Sequence, residues 1–461
     1  MNPPRTVSVQ DVVDRAPISS LQRKALVVST LFALVDGFDS LIVGFLVPAI
    51  AKDWGVSTPS LTFVVVSGTV GTIAGAMLIA PIADRVGRRP VILAGATVFA
   101  VFTLLGSTAS SVESLSVLRF FAGIGLGAVP STLIAYVSEY TPLRLRATLV
   151  TVIGSGLAAG GFFGGFVAAF LIPRAGWQSV LIAGGVLPLL PVLLGLRWMP
   201  ETPQLSVIRG RTEVAARRLA QIDSSFSATD LPPRASDDKS TRGVPVTSLL
   251  TEGRAPMTVL VWVLYLAQFL TSFFIFSWLP SVLASAGVAS TAALMATSIC
   301  TLGGMVGGVT LGFWIDRFSS RFKVLATTYA IGACAVAAVA MALGTSTVAM
   351  FAALFVVGFG AIGSGVCVNA VTASLYPAEI RSTGLGWAQG FGRIGSVLGP
   401  ALGGLLLGAH LGARAIFQLS TIPVAVCVAA IIGIGMTRRG GGDPEHAGSQ
   451  KTAHPVPAAE V

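Results

Sequence analysis

The chain has 461 residues, of which 53% are apolar and only 11% charged, with a formal net charge of +10 at pH 7. Soluble domains carry about a quarter charged residues, so this composition excludes an ordinary water-solvated globule and points to a chain solvated by lipid. The 53 Gly and 25 Pro fit membrane helices, where small residues let backbones approach and neighbours satisfy freed backbone groups.

The segment through Lys24 is polar and mixed in charge. It lacks an apolar stretch with a small-residue cleavage site, so the first membrane helix is expected to stay in the mature protein. A bilayer core about 30 Å thick needs roughly 20 apolar residues in helix. In chain order, the apolar runs predict spans over 25–50, 60–80, 90–109, 114–137, 148–172 and 178–199. A second set follows over 256–285, 289–313, 323–344, 347–374, 382–409 and 413–436. Between them, 200–255 carries Arg209, Arg211, Arg217, Arg218, Asp237, Asp238 and Lys239 among Pro and Ser, and reads as a solvated linker with a short amphipathic helix around 211–222. The expected architecture is an all-α membrane protein of twelve transmembrane helices in two six-helix bundles: 1–199, a linker at 200–255, and 256–461.

Charge placement supports the layout. With the N-terminus inside, 25 of the 30 Lys and Arg fall on inner segments, including Arg85, Arg88, Arg89, Arg144, Arg146, Arg317, Arg321, Lys323, Arg381, Arg438 and Arg439. The outer loops hold only Lys52, Arg174 and Arg414, and Arg119 and Arg393 lie within spans. This asymmetry places both termini in the cytoplasm and makes the positive charge topological, with no nucleic-acid partner implied. The halves also echo each other: Asp84-Arg85 after span 2 recurs as Asp316-Arg317 after span 8, 232 residues on, and Arg146 aligns with Arg381 at an offset of 235. Two bundles related by duplication account for both offsets.

Asp36 and Asp39 are the only carboxylates within a predicted span. At i and i+3 they share one helix face, about 17–21 Å along from Ala25. A charge at that depth costs several kcal/mol unless it faces a wet cavity or a partner, and burial with like-charge proximity favours a proton on one of two carboxylates so close. They read as a proton site; a pair that fixes helix packing is the structural alternative. Gly37 between them leaves room for another helix or a substrate. Arg393 lies near mid-depth in span 11 and Arg119 near the outer end of span 4, and a buried guanidinium must be paired. One reads as a bidentate clamp on a substrate carboxylate and the other as partner to an aspartate. Phe38, Gln268, Trp278 and Asn369 are candidate cavity-wall residues, as are Tyr136, Phe274, Trp387 and Gln389, although each also fits ordinary packing. Asp84, Arg85 and Arg88 with Glu139, and Asp316 and Arg317 with Glu379 and Arg381, form charge clusters suited to gating. Glycines at 156, 160 and 164 on span 5, and at 395, 399 and 403 on span 11, read as close-packing stripes. The run GIGLGA at 123–128 mimics a dinucleotide motif, but no strand precedes it. No nucleophile–base set or metal-ligand spacing appears, so neither an enzyme nor a metal or cofactor is expected. The four cysteines read as small buried apolar residues.

At the charged loops the chain resembles the major facilitator superfamily. That family's loop signature G-x-L-x-D-R-x-G-R-R is seen as APIADRVGRRP, with Ala80 in place of the first Gly, and Gly312, Asp316 and Arg317 persist in the second copy. RFFAGIGLGA from Arg119 resembles the family's R-x-x-x-G-x-G-x-G segment, and PETP at 200–203 resembles a motif of its sugar and aromatic-acid branches. The D-G-x-D pair in span 1 resembles the aromatic acid:proton symporters. That resemblance implies uptake of a small aromatic carboxylate with protons, through Asp36, Asp39, Asp84, Arg119, Glu139, Arg381 and Arg393. It also implies a multi-pass cell-membrane protein, taken here as a monomer. GSVLGPALGG on span 11 resembles a drug-antiporter motif that belongs on span 5, where the Pro is missing. An aliphatic acid, a sugar or polyol, or an exported drug is the alternative cargo.

Overall fold

The computed structural model describes residues 9–208, 212–223, 246–251, 253–317, 320–377 and 380–440. It is all helical. Span 1 is Ser20–Trp54, span 2 Thr58–Ile79, span 3 Arg88–Gly106 and span 4 Val112–Tyr140. The second set comprises span 7, Ala255–Ser285; span 8, Ser290–Arg317; span 9, Arg321–Ala342; span 10, Thr347–Ala373; span 11, Arg381–Gly408; and span 12, Ala413–Gly440.

Among the described residues, eleven helices are long and apolar enough to cross a membrane, and one of them, Ala158–Trp198, runs for 41 residues. At 1.5 Å per residue that is about 62 Å, twice the bilayer core. The continuous helix is broken at Gly176, whose φ of 74° and ψ of 172° turn the chain back. The segment therefore makes two crossings, spans 5 and 6. The turn is fixed by Trp177, whose Nε1 donates to Asp53 Oδ2 at 2.9 Å in the last turn of span 1.

Two short helices lie at the face of the bundle where the chain begins. Helix α1 is Val9–Arg15, and helix α2, Thr212–Ile222, occupies the predicted amphipathic stretch and buries Ala215, Ala216, Leu219 and Ile222. The linker charges at 209, 211, 237, 238 and 239 lie outside the described residues.

Helix pairings repeat between the two sets. Span 1 packs on span 5 and span 7 on span 11; span 2 packs on span 4 and span 8 on span 10. The predicted glycine stripes lie at these seams. A Cβ at Gly160 would sit 1.9 Å from the Leu34 carbonyl oxygen, and one at Gly399 2.5 Å from that of Leu270. Spans 5 and 11 can approach their partners this closely only without side chains there.

Among the described residues, the close glycine contacts between the two sets lie on one side. Gly44 on span 1 abuts the Phe276 carbonyl on span 7, Gly165 on span 5 abuts Ser298 on span 8, and Gly404 on span 11 abuts Thr62 on span 2. All these contacts fall toward the face opposite the termini. There one apolar cluster draws on both halves, from Phe38 and Leu41 to Trp278 and Phe417. Toward the face carrying the termini the core divides: one cluster, including Val28, Phe32, Leu133 and Tyr136, belongs to the first half, and another, including Leu264, Tyr329, Val368 and Ile431, to the second. Among the described residues, the apolar core is shared by both halves on the far side and split between them on the terminal side.

All four cysteines are free thiols. Cys300, Cys367 and Cys427 are buried as expected, whereas Cys334 is exposed on span 9.

Candidate functional site

Intramembrane charge collects where the shared core ends and the divided cores begin. On span 1, Ala33 is the last residue of the terminal-side cluster and Phe38 the first of the far-side one, so Asp36 and Asp39 sit at the transition. On span 7 the corresponding boundary lies between Ala267 and Phe274, and Gln268 falls in it.

Asp39 is 1% exposed and Arg119 5%. The Arg119 Nη1 and Nη2 groups donate to Asp39 Oδ1 and Oδ2, each at 2.8 Å. This parallel fork is the strongest neutralising geometry a carboxylate and a guanidinium can adopt. It joins span 1 to span 4 within the first half, and it assigns the structural partnership to Asp39 and Arg119.

Asp36, three residues earlier and half-buried, is different. Among the described residues, no hydrogen bond and no ion pair within 4.0 Å engages its carboxylate or the guanidinium of Arg393. One bundle thus carries a half-buried acid and the other a half-buried cation, each without an ion-pair partner among the described residues.

The second half supplies neutral polar groups. Gln268 on span 7 accepts a short hydrogen bond from the Tyr329 hydroxyl and donates to Ser272 Oγ at 3.0 Å. Asn369 on span 10 is exposed and accepts from the Tyr265 hydroxyl at 2.8 Å. Span 7 also carries a ladder of rings: Phe269 stacks on Tyr265 at 6.4 Å and on Phe273 at 6.1 Å, and Trp262 stacks on Phe391 of span 11 at 4.4 Å.

Four of the expected wall residues are placed in the core. Phe38 is 2% exposed in the far-side core, and Trp278 is fully buried with its Nε1 donating to the Pro400 carbonyl at 2.8 Å. Trp278 also fills the space beside Gly403, where a Cβ would lie 2.2 Å away. Neither ring faces the split side. Tyr136 is likewise core, with its hydroxyl on the Pro200 carbonyl at 2.9 Å, and Phe274 is buried. Trp387 and Gln389 are exposed.

Of the charge clusters, Arg88 and Glu139 form an ion pair at 2.9 Å, both from the first half. Arg85, Arg317 and Arg381 are exposed on the terminal face. The side chains of Asp84 and Asp316, and Glu379 altogether, lie outside the described residues. Glu201 of the PETP segment was not singled out from sequence, yet it braces the first cluster. Its Oε1 accepts from the backbone N–H of Arg88 at 3.1 Å and of Thr202 at 3.1 Å, and Tyr140 donates to its carbonyl at 2.9 Å. Gly87, at φ 121°, must be glycine: a Cβ there would lie 2.2 Å from Glu201 Oε2.

Comparison with known proteins agrees with this architecture. A family model described as Major Facilitator Superfamily matches residues 29–389 and 261–459. The chain belongs to the Major Facilitator Superfamily. It is 34% identical to a gallate transporter of Pseudomonas putida over 94% of this chain and 96% of that one. It is 31% identical to the 4-hydroxybenzoate transporter PcaK of the same organism over 93% and 96% of the two chains. Among solved structures it resembles the xylose transporter XylE from E. coli in a partially occluded inward open conformation. The TM-score there is 0.70 at 18% identity, covering 91% of this chain and 98% of that one, a likeness of fold.

Proposed function

We propose that this protein imports a small aromatic carboxylate together with protons by alternating access. The observation that carries the reading is Arg393, half-buried in span 11 without an ion-pair partner among the described residues, while Asp39 and Arg119 are closed on each other. A half-buried guanidinium without a protein carboxylate in ion-pair range suits a substrate carboxylate, which it can bind bidentately. Asp36 carries the proton. While Asp36 is ionised it competes with the substrate for Arg393, and once protonated it frees the guanidinium, so proton and substrate binding favour each other. The ring of the substrate stacks against the Phe269 side of span 7, with Gln268 and Asn369 available for ring hydroxyls. The names of the two Pseudomonas putida relatives, gallate and 4-hydroxybenzoate transporters, support this substrate class.

The first and second sets of spans act as two bodies that rock about this site, and the form described here is the one open toward the terminal face. That face is cytoplasmic by its excess of Lys and Arg, and the protein resides in the cell membrane as a monomer. Arg88–Glu139 and its braces belong to the gate that closes the split with Asp84, Arg85, Asp316, Arg317, Glu379 and Arg381. Uptake into proteoliposomes from a panel of labelled benzoates, aliphatic acids and sugars, with and without an inward proton gradient, tests the reading. Accumulation of benzoates alone is expected; accumulation of a sugar or an aliphatic acid instead would overturn it.

A further inference from the structure

A second polar cavity, of about 430 Å³, opens on the terminal face of the first half, far from the apex of the split. Its wall is assembled from the first turn of span 1 (Ser20, Lys24), the start of span 3 (Arg89), the end of span 6 (Arg197, Trp198) and helix α2 (Arg218). Four cations line it and no carboxylate does. The nearby Glu201 is engaged by the Arg88 and Thr202 amides. Among the described residues, none of the four charged groups has a carboxylate within 4.0 Å, although Glu201 Oε1 also accepts from the backbone N–H of Arg89 at 3.5 Å. Like charges gathered without a counterion repel one another, so the site is suited to an anion.

Two of the four cations make contacts that position them. Arg89 Nη2 donates to the Leu196 carbonyl at 2.7 Å, while its Nε is buried without a partner. Lys24 lies 5.9 Å over the Trp198 ring. Below the cavity, Leu190, Leu193 and Leu196 recur every three residues on span 6 and are 54%, 65% and 56% exposed, forming an apolar stripe down the lipid-facing surface. A basic pocket at the end of membrane helices, continued by an exposed apolar stripe, matches the two ends of one molecule.

We propose that this cavity binds the phosphate headgroup of an anionic phospholipid, whose acyl chain lies along the Leu190–Leu193–Leu196 stripe. The lipid then bridges helix α2 of the linker to spans 1, 3 and 6, and so fastens the linker to the first half. The same four cations would also accept a soluble phosphate, and the stripe is what favours the lipid.

Native mass spectrometry of the purified full-length protein, with added phosphatidylglycerol, phosphatidylcholine or inorganic phosphate, tests this. Phosphatidylglycerol should be retained in preference to phosphatidylcholine. The double substitution Arg197→Gln/Arg218→Gln should weaken retention about thirtyfold, roughly fivefold per cation, while Arg217→Gln on the exposed face of α2 leaves it unchanged. Should the double variant fail to fold, Lys24→Gln alone should show a loss of about fivefold. Equal retention of the two lipids, or phosphatidylglycerol binding untouched by the pocket substitutions, overturns the proposal. Binding of inorganic phosphate with no preferred lipid overturns the lipid assignment and identifies a soluble phosphate site.

Discussion

Replacing Asp39 with Asn isolates the part of the intramembrane charge set that is closed in this structure. The substitution keeps the shape of the side chain but removes the charge that neutralises Arg119, and Arg119, 5% exposed, has no water to turn to. Two charge-assisted bonds of 2.8 Å are lost or weakened at once. Breaking a buried pair from one side costs about 3–5 kcal/mol, because most of the penalty is the stranded charge. Removing both charges, as in Asp39→Asn/Arg119→Gln, takes that penalty away, and the double variant should recover about 2–3 kcal/mol relative to the sum of the two single variants. Equilibrium unfolding in mixed detergent micelles measures each variant, and proteoliposome uptake measures function in parallel. Asp39→Asn should lose both stability and uptake, whereas Asp36→Asn should keep its stability, since no described partner is stranded. If Asp39→Asn were as stable as wild type, or the two single losses simply added, the pair would not be the buried tie between spans 1 and 4 described here.

Other expectations follow from the same geometry. Arg393→Gln should fold normally but raise KM for the acid by about tenfold or more, the equivalent of one lost charge-assisted bond, measured as initial uptake rate against concentration. Gly160→Val should prevent stable folding, because its side chain would be driven into the Leu34 carbonyl 1.9 Å from the first added carbon, and yield on size-exclusion chromatography reads this directly. Glu201→Gln should destabilise the first half by about 1–3 kcal/mol, through weaker acceptance of the Arg88 and Thr202 amides, as seen in the unfolding midpoint.

Much of this was legible in the sequence for reasons that can be named. Span positions follow from apolar length, and the glycine stripes on spans 5 and 11 follow from spacing, because only hydrogen at those positions allows the observed approach. The short connection between spans 5 and 6 was also legible, although there the helix continues up to the reversal at Gly176. The pairing of the charges was not. Asp36 and Asp39 share a face, and which of them meets Arg119 depends on the axial register of span 1 against span 4, which a single sequence does not encode. Aromatic residues misled for a similar reason: Trp278 has the same helical spacing whether it lines a cavity or fills the gap beside Gly403. Tyr329 was overlooked because span 9 was not among the helices expected at the wall, and its bond to Gln268 appears only when spans 7 and 9 are packed.

The central claim is that proton binding at Asp36 is coupled to binding of an aromatic carboxylate at Arg393. One proton carried with a monoanion moves no net charge, so an inward gradient of one pH unit should concentrate the acid about tenfold inside, with no added effect of voltage. The direct measurement is accumulation of labelled 4-hydroxybenzoate in proteoliposomes under that gradient, with counterflow under equal pH as the companion reading. Wild type should accumulate the acid and exchange it; Asp36→Asn should exchange it but fail to accumulate it. Accumulation by Asp36→Asn at the wild-type level would contradict the account.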